Sequence, residues 1–157
     1  MEKEQEGRRY MKQLGKKRLV LLIAGIAVAV IMLCAVLFII REKANRKEDE
    51  RFASEIRDHA EAVTTATTVY SELRRAIGDS DTEVAIFSIG KGGVKWEKDI
   101  AFLKTSLKEK FGDSLNGFTW NSMKYKGQRY TVYFMKTTEQ GRWGPLLKAI
   151  GRWEDEE

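Results

Sequence analysis

Residues 19–40, LVLLIAGIAVAVIMLCAVLFII, form an unbroken apolar run in which the Cys34 thiol is the most polar side chain. At about 1.5 Å per residue, a helix of this length reaches about 33 Å, the thickness of a bilayer's hydrocarbon core. Fifteen of these residues are Leu, Ile, Val or Phe. Each favours insertion by about 0.4 kcal/mol near the bilayer centre, so the run as a whole inserts. The sequence therefore predicts one transmembrane helix at 19–40, with a lipid bilayer as the first partner. Ala27, Val28 and Ala29 imitate a signal-peptidase site, but eleven apolar residues follow them. A cleavable signal has a shorter apolar core that ends before its small residues. Ile31, Met32, Leu33 and Cys34 imitate a lipoprotein box, with Leu33 where a small residue belongs.

Charge gives the direction of the span. Residues 1–18 carry seven Lys or Arg against three acids, 41–77 carry eight against eight, and 78–157 carry thirteen against twelve. Almost all of the net +5 thus precedes the apolar run. A basic field for nucleic acid is missing from the rest of the chain, and no nucleic-acid partner is expected. The basic tail predicts a cytoplasmic N-terminus and an extracytoplasmic C-terminal domain, in the cell (inner) membrane. Arg41, Lys43, Arg46, Lys47 and Arg51 beyond the span oppose that bias.

Residues 41–77 lack proline and glycine. Phe52, Ile56, His59, Val63, Ala66, Tyr70, Leu73 and Ile77 recur at alternating spacings of four and three, a heptad seam. An amphipathic helical stalk is predicted, paired with a second copy as a coiled coil or packed on the chain's own sheet. Gly25 and Ala29 in the membrane run form a small-xxx-small pair that favours helix association. The candidate self-association residues are therefore Gly25, Ala29, Phe52, Ile56, Val63, Tyr70 and Leu73.

Residues 78–157 predict a small α+β domain in the order strand, helix, strand, strand, helix. Residues 82–89 are apolar on both alternating faces, which suits a central strand. Residues 96–111 have helical period through Trp96, Ile100, Leu103, Leu107 and Phe111. Residues 118–125 and 129–136 alternate and predict a hairpin. After Gly144, Pro145 suits the first turn of a last helix, with Leu146, Leu147, Ile150 and Trp153 on one face. Trp96 and Trp120 are expected in the core. Trp143 and Trp153 each follow a Gly-Arg pair, and they are the candidate partner-docking residues.

The stretch Lys91-Gly92-Gly93-Val94 resembles the opening of the phosphate-binding loop of the deviant-Walker ATPases. That family continues through a further glycine into a lysine and a hydroxyl residue. Here Lys95-Trp96-Glu97 follows, without the hydroxyl that would hold magnesium, so the stretch reads as a turn. Ser106 with Lys110, and Glu109 with Asp113, have spacings common on any solvated helix. One histidine and one cysteine leave no hydrolytic or zinc constellation. The chain reads as a non-enzyme without catalytic, metal or cofactor-binding residues.

The functional expectation is a bitopic assembly, scaffold or docking component of a cell-envelope complex, with protein partners and a homodimer through the stalk as an option. The layout of short tail, span, helix and small α/β unit resembles the inner-membrane alignment proteins of type IV pilus and type II secretion machines. Two alternatives remain from the sequence. One is a pilin-like subunit, with Gly15 at a processing site, against which Lys16, Lys17 and Arg18 follow where pilins continue apolar. The other is a membrane-anchored ligand sensor.

Overall fold

A computed structural model describes the backbone of residues 2–156 and the side chains of residues 15–156. Most of the predicted basic tail, residues 1–14, therefore lies outside the described side chains. The chain divides into two compact units, Met1–Glu42 and Lys43–Glu157. Helix α1 (Glu2–Ala62) contributes to both. A stretch of it, Gly15–Thr65 when the following turn is counted, is the one candidate among the described residues with the length and composition to cross a membrane.

In the second unit, α1 is followed by a 3₁₀ turn (Val63–Thr65), α2 (Thr67–Ile77), strands β1 (Val84–Gly90) and β2 (Gly93–Trp96), α3 (Ala101–Phe111), a second 3₁₀ turn (Gly112–Leu115), β3 (Gln128–Gly141) and β4 (Gly144–Asp155). The four strands form one antiparallel sheet in the order β2-β1-β3-β4.

Four expectations need correction. Residues 41–77 are not one helix. The Thr64 hydroxyl donates to the Glu61 carbonyl (2.7 Å) and that of Thr65 to the Ala62 carbonyl (2.9 Å). These local bonds compete with the helical ladder, and Ala66 turns to an extended conformation. Residues 118–125 are not a strand. Asp49, buried in α1, accepts from the backbone N–H groups of Asn121 (3.1 Å) and Ser122 (2.7 Å). With donors satisfied by a side chain, the segment enters the core without a ladder and still buries Trp120 and Tyr125.

The last segment is a strand, not a helix, and it rather than 118–125 completes the hairpin with β3. Its apolar spacing fits both periods, but Gly151 decides. A Cβ there would lie 1.7 Å from the Tyr130 hydroxyl, so the glycine is where the Tyr130 side chain crosses β4. Likewise α3 starts at Ala101, and Trp96 ends β2 instead of opening a helix.

The register sorts the sheet into two faces. Phe87, Ile89, Tyr130, Val132, Phe134, Ala149 and Trp153 lie on one. This face packs under Ala53, Ile56 and Ala60 of α1, Leu73 and Ile77 of α2, and Leu103 and Leu107 of α3, in a single core. A bulge at Ile86 shifts the β1–β3 register and turns that side chain inward as well. Phe52, Phe118, Trp120, Tyr125 and Trp153 close one end of the core, with Tyr125 stacked on Trp153 at 3.8 Å between ring centres.

Candidate functional site: docking surfaces

The glycine stretch is the turn between β1 and β2, with Gly90 opposite Gly93. Gly92 and Gly93 have φ of 87° and 106°, which glycine adopts without strain. The guanidinium of Arg129 donates to the carbonyls of Ser88 (3.1 Å), Lys91 (3.3 Å) and Gly93 (2.9 Å), and to the Ser88 hydroxyl (2.9 Å). A phosphate loop turns its N–H groups toward an anion. This one turns carbonyls toward a cation, and a strand follows it where the ATPase family has a helix.

The second face of the sheet is polar. Ser88, Lys95, Arg129, Thr131, Tyr133, Arg152 and Glu154 alternate with the core residues along the four strands. Glu154 accepts from both the Thr131 and Tyr133 hydroxyls, and Arg152 pairs with Glu83 at 2.6 Å. The bond to Glu154, helped by burial, pushes the Tyr133 phenol up to about 12. All of them but Arg152 line a shallow concavity of about 910 Å³. Sequence reading missed this face, although Arg129, Thr131 and Tyr133 were visible as the polar half of an alternating strand.

The β3–β4 turn makes a different kind of surface. Arg142 and Trp143 form its tip between Gly141 and Gly144, with the guanidinium 4.9 Å from the indole centre. Trp143 is 45% exposed and Leu146 43%. With Thr64, Thr65, Tyr70 and Leu147 they line a pocket of about 290 Å³. The Tyr70 hydroxyl fixes this end of the hairpin by donating to the Pro145 carbonyl at 3.0 Å.

The two candidate docking tryptophans therefore part company. Trp143 stands at the tip, while Trp153 is half-buried against Trp120, Tyr125 and Tyr130. Among the self-association candidates, Ile56, Tyr70 and Leu73 are buried in the core, and Phe52 and Val63 pack against it. These seam residues thus sit in or against the core beneath the chain's own sheet. Gly25 and Ala29 lie in the exposed apolar run, and a Cβ on Gly25 would meet nothing within 4 Å. His59 joins α1 to α3 through Ser106 (2.9 Å), beside the Phe111 ring. Burial, with help from the Lys110 charge, holds its imidazole below the ordinary value.

Among the described residues, no three His, Cys, Asp or Glu side chains gather where they could hold a metal ion. Comparison with protein-family models, with curated proteins and with solved structures gives no match to this chain.

Proposed function

We propose that the chain is a single-pass, non-enzymatic membrane protein whose C-terminal domain docks partner proteins of a cell-envelope assembly. The observation that carries this reading is the all-round exposure of the apolar run. From Leu19 to Ile40 its large side chains are 51–72% exposed, with no side of the helix buried. A helix apolar on every side is stable only in an apolar surrounding, and lipid of the cell (inner) membrane supplies one. The basic tail keeps the N-terminus cytoplasmic and sends the domain across. Trp143, with Arg142 and Leu146, is the surface chosen for partner contact, since exposed aromatic and arginine side chains beside a pocket make strong anchors. The test is photocrosslinking in native membranes from position 143, with alkaline-carbonate extraction of the same membranes. A discrete heavier adduct from a carbonate-resistant chain supports the reading. A chain released by carbonate, or one without adducts at 143, refutes it.

A second reading, a pilin-like subunit, is favoured by one observation. The distal part of a long N-terminal helix packs against one face of a four-stranded antiparallel sheet. In that case crosslinks give a ladder of multiples of the chain mass instead of one adduct.

A further inference from the structure

We infer that the end of the domain nearest the apolar run is itself a lipid-binding surface, one that takes anionic phospholipid headgroups of the bilayer the run spans. The inference rests on the membrane reading of residues 19–40.

Two segments distant in sequence meet at this end. The Asn45 amide donates to the Asn121 carbonyl (3.4 Å), Asp49 accepts from the Ser122 N–H, and the Tyr125 hydroxyl donates to Glu50 (2.5 Å). Loop 121–127 is thereby held level with residues 45–50 of α1. Asn45 lies five residues beyond Ile40, and five residues reach at most about 18 Å even when fully extended. Headgroups occupy about 5–8 Å on each side of the hydrocarbon. The chain itself therefore keeps this loop close to the lipid surface.

The charges are arranged for that neighbour. Lys43, Arg46, Lys47 and Lys126 form no ion pair within the described structure, and the Arg46 Nε is buried without a hydrogen-bond partner. Of the acids at positions 48–50, Asp49 and Glu50 are engaged by the loop, which leaves Glu48 facing outward. Loop 121–127 contains no acid, and its Met123 is 62% exposed. Lys43, Arg46, Lys47 and Lys126, on the segments that also present the exposed Met123, match a surface of phosphate groups over acyl chains.

The experiment uses the full chain in lipid nanodiscs, either all phosphatidylcholine or with about a third phosphatidylglycerol. A nitroxide is placed by Met123→Cys in a Cys34→Ala background, and its accessibility to a water-soluble relaxation agent is measured. A second label, at Lys108→Cys on α3, serves as the control. The expected result is a drop of about threefold or more at 123 in the anionic discs, none at 108, and recovery in high salt. Lys47→Glu with Lys126→Glu, both exposed positions, restores accessibility at 123 without changing incorporation. Equal accessibility at 123 in the two lipids overturns the inference and leaves the membrane span standing. A chain that fails to enter discs overturns both.

Discussion

Two stretches of α1 bury apolar surface in opposite ways. Residues 19–40 are apolar on every side, and their large side chains are more than half exposed within the chain. Residues 43–62 are apolar on one side, where Ala53, Ile56 and Ala60 are at most 1% exposed and the opposite side carries Arg51, Glu55 and Asp58. Both are helical, so helix formation does not distinguish them. What differs is the solvent each demands. The first requires a surrounding it does not carry, and the second carries its own in the form of the sheet.

The strongest way to break this contrast is to charge the first stretch. Ile26→Arg with Val30→Arg costs about 2.5–3.5 kcal/mol for each arginine at the centre of a membrane helix. The doubly substituted chain is expected to lose its carbonate-resistant membrane fraction. Next comes truncation. Ile56→Ala removes a fully buried side chain and is expected to cost about 3 kcal/mol of domain stability. Ile26→Ala removes the same atoms and leaves the near-ultraviolet melting curve of the domain unchanged. If both substitutions shift the melt equally, the two stretches are not distinct in their burial.

A smaller loss is expected from Asp49→Ala, which strands the N–H groups of Asn121 and Ser122. About 2 kcal/mol follows from losing hydrogen bonds to a charged acceptor, read as faster amide exchange at Ser122 and melting of loop 118–127. The smallest effect belongs to His59. Its folded pKa lies below the ordinary 6.5, because burial and the Lys110 charge disfavour the imidazolium. Above pH 6.5 both the folded and unfolded imidazoles are neutral and this contribution is complete. As pH falls below 6.5 the unfolded chain takes up the proton first, so stability declines until the folded group also titrates. His59→Gln is expected to flatten that part of the stability–pH curve in urea titrations.

The two stretches were unequally legible. The apolar run could be read directly as a candidate span, because that reading asks only for length and composition. The seam at Ile56, Leu73 and Ile77 was legible as a periodic face, but period alone cannot say whether the covering surface belongs to the same chain. Strand β1 was found because a run apolar on both faces fits the centre of a sheet. β4 was misread because Leu146, Leu147, Ile150 and Trp153 satisfy a helix, while the evidence for a strand lay in Gly151 and its contact with Tyr130, residues 21 apart. Segment 118–125 alternates like a strand, yet the backbone donors of Asn121 and Ser122 go to Asp49, 72 and 73 residues earlier. Long-range side-chain capping of this kind leaves no local pattern. Of the docking surfaces, Trp143 was marked in the sequence, whereas the polar sheet face required the register to assemble it.

Asp49 and Ile56 have a consequence for proteolytic release. The domain takes core side chains from the same helix that continues into the apolar run, so it has no dispensable tether. A protease acting between Ile40 and Asp49 frees a fragment that keeps its capping carboxylate, Ala53, Ile56 and Ala60. A cut two turns later, after Ile56, removes the carboxylate, Ala53 and Ile56, exposes Trp120 and the inner sheet face to water, and leaves a fragment that aggregates instead of diffusing away. Shedding of an intact domain is thereby confined to a window of fewer than ten residues, the same residues that carry Lys43, Arg46 and Lys47. If headgroups bind those side chains as inferred above, they shield the bonds whose cleavage leaves this core intact.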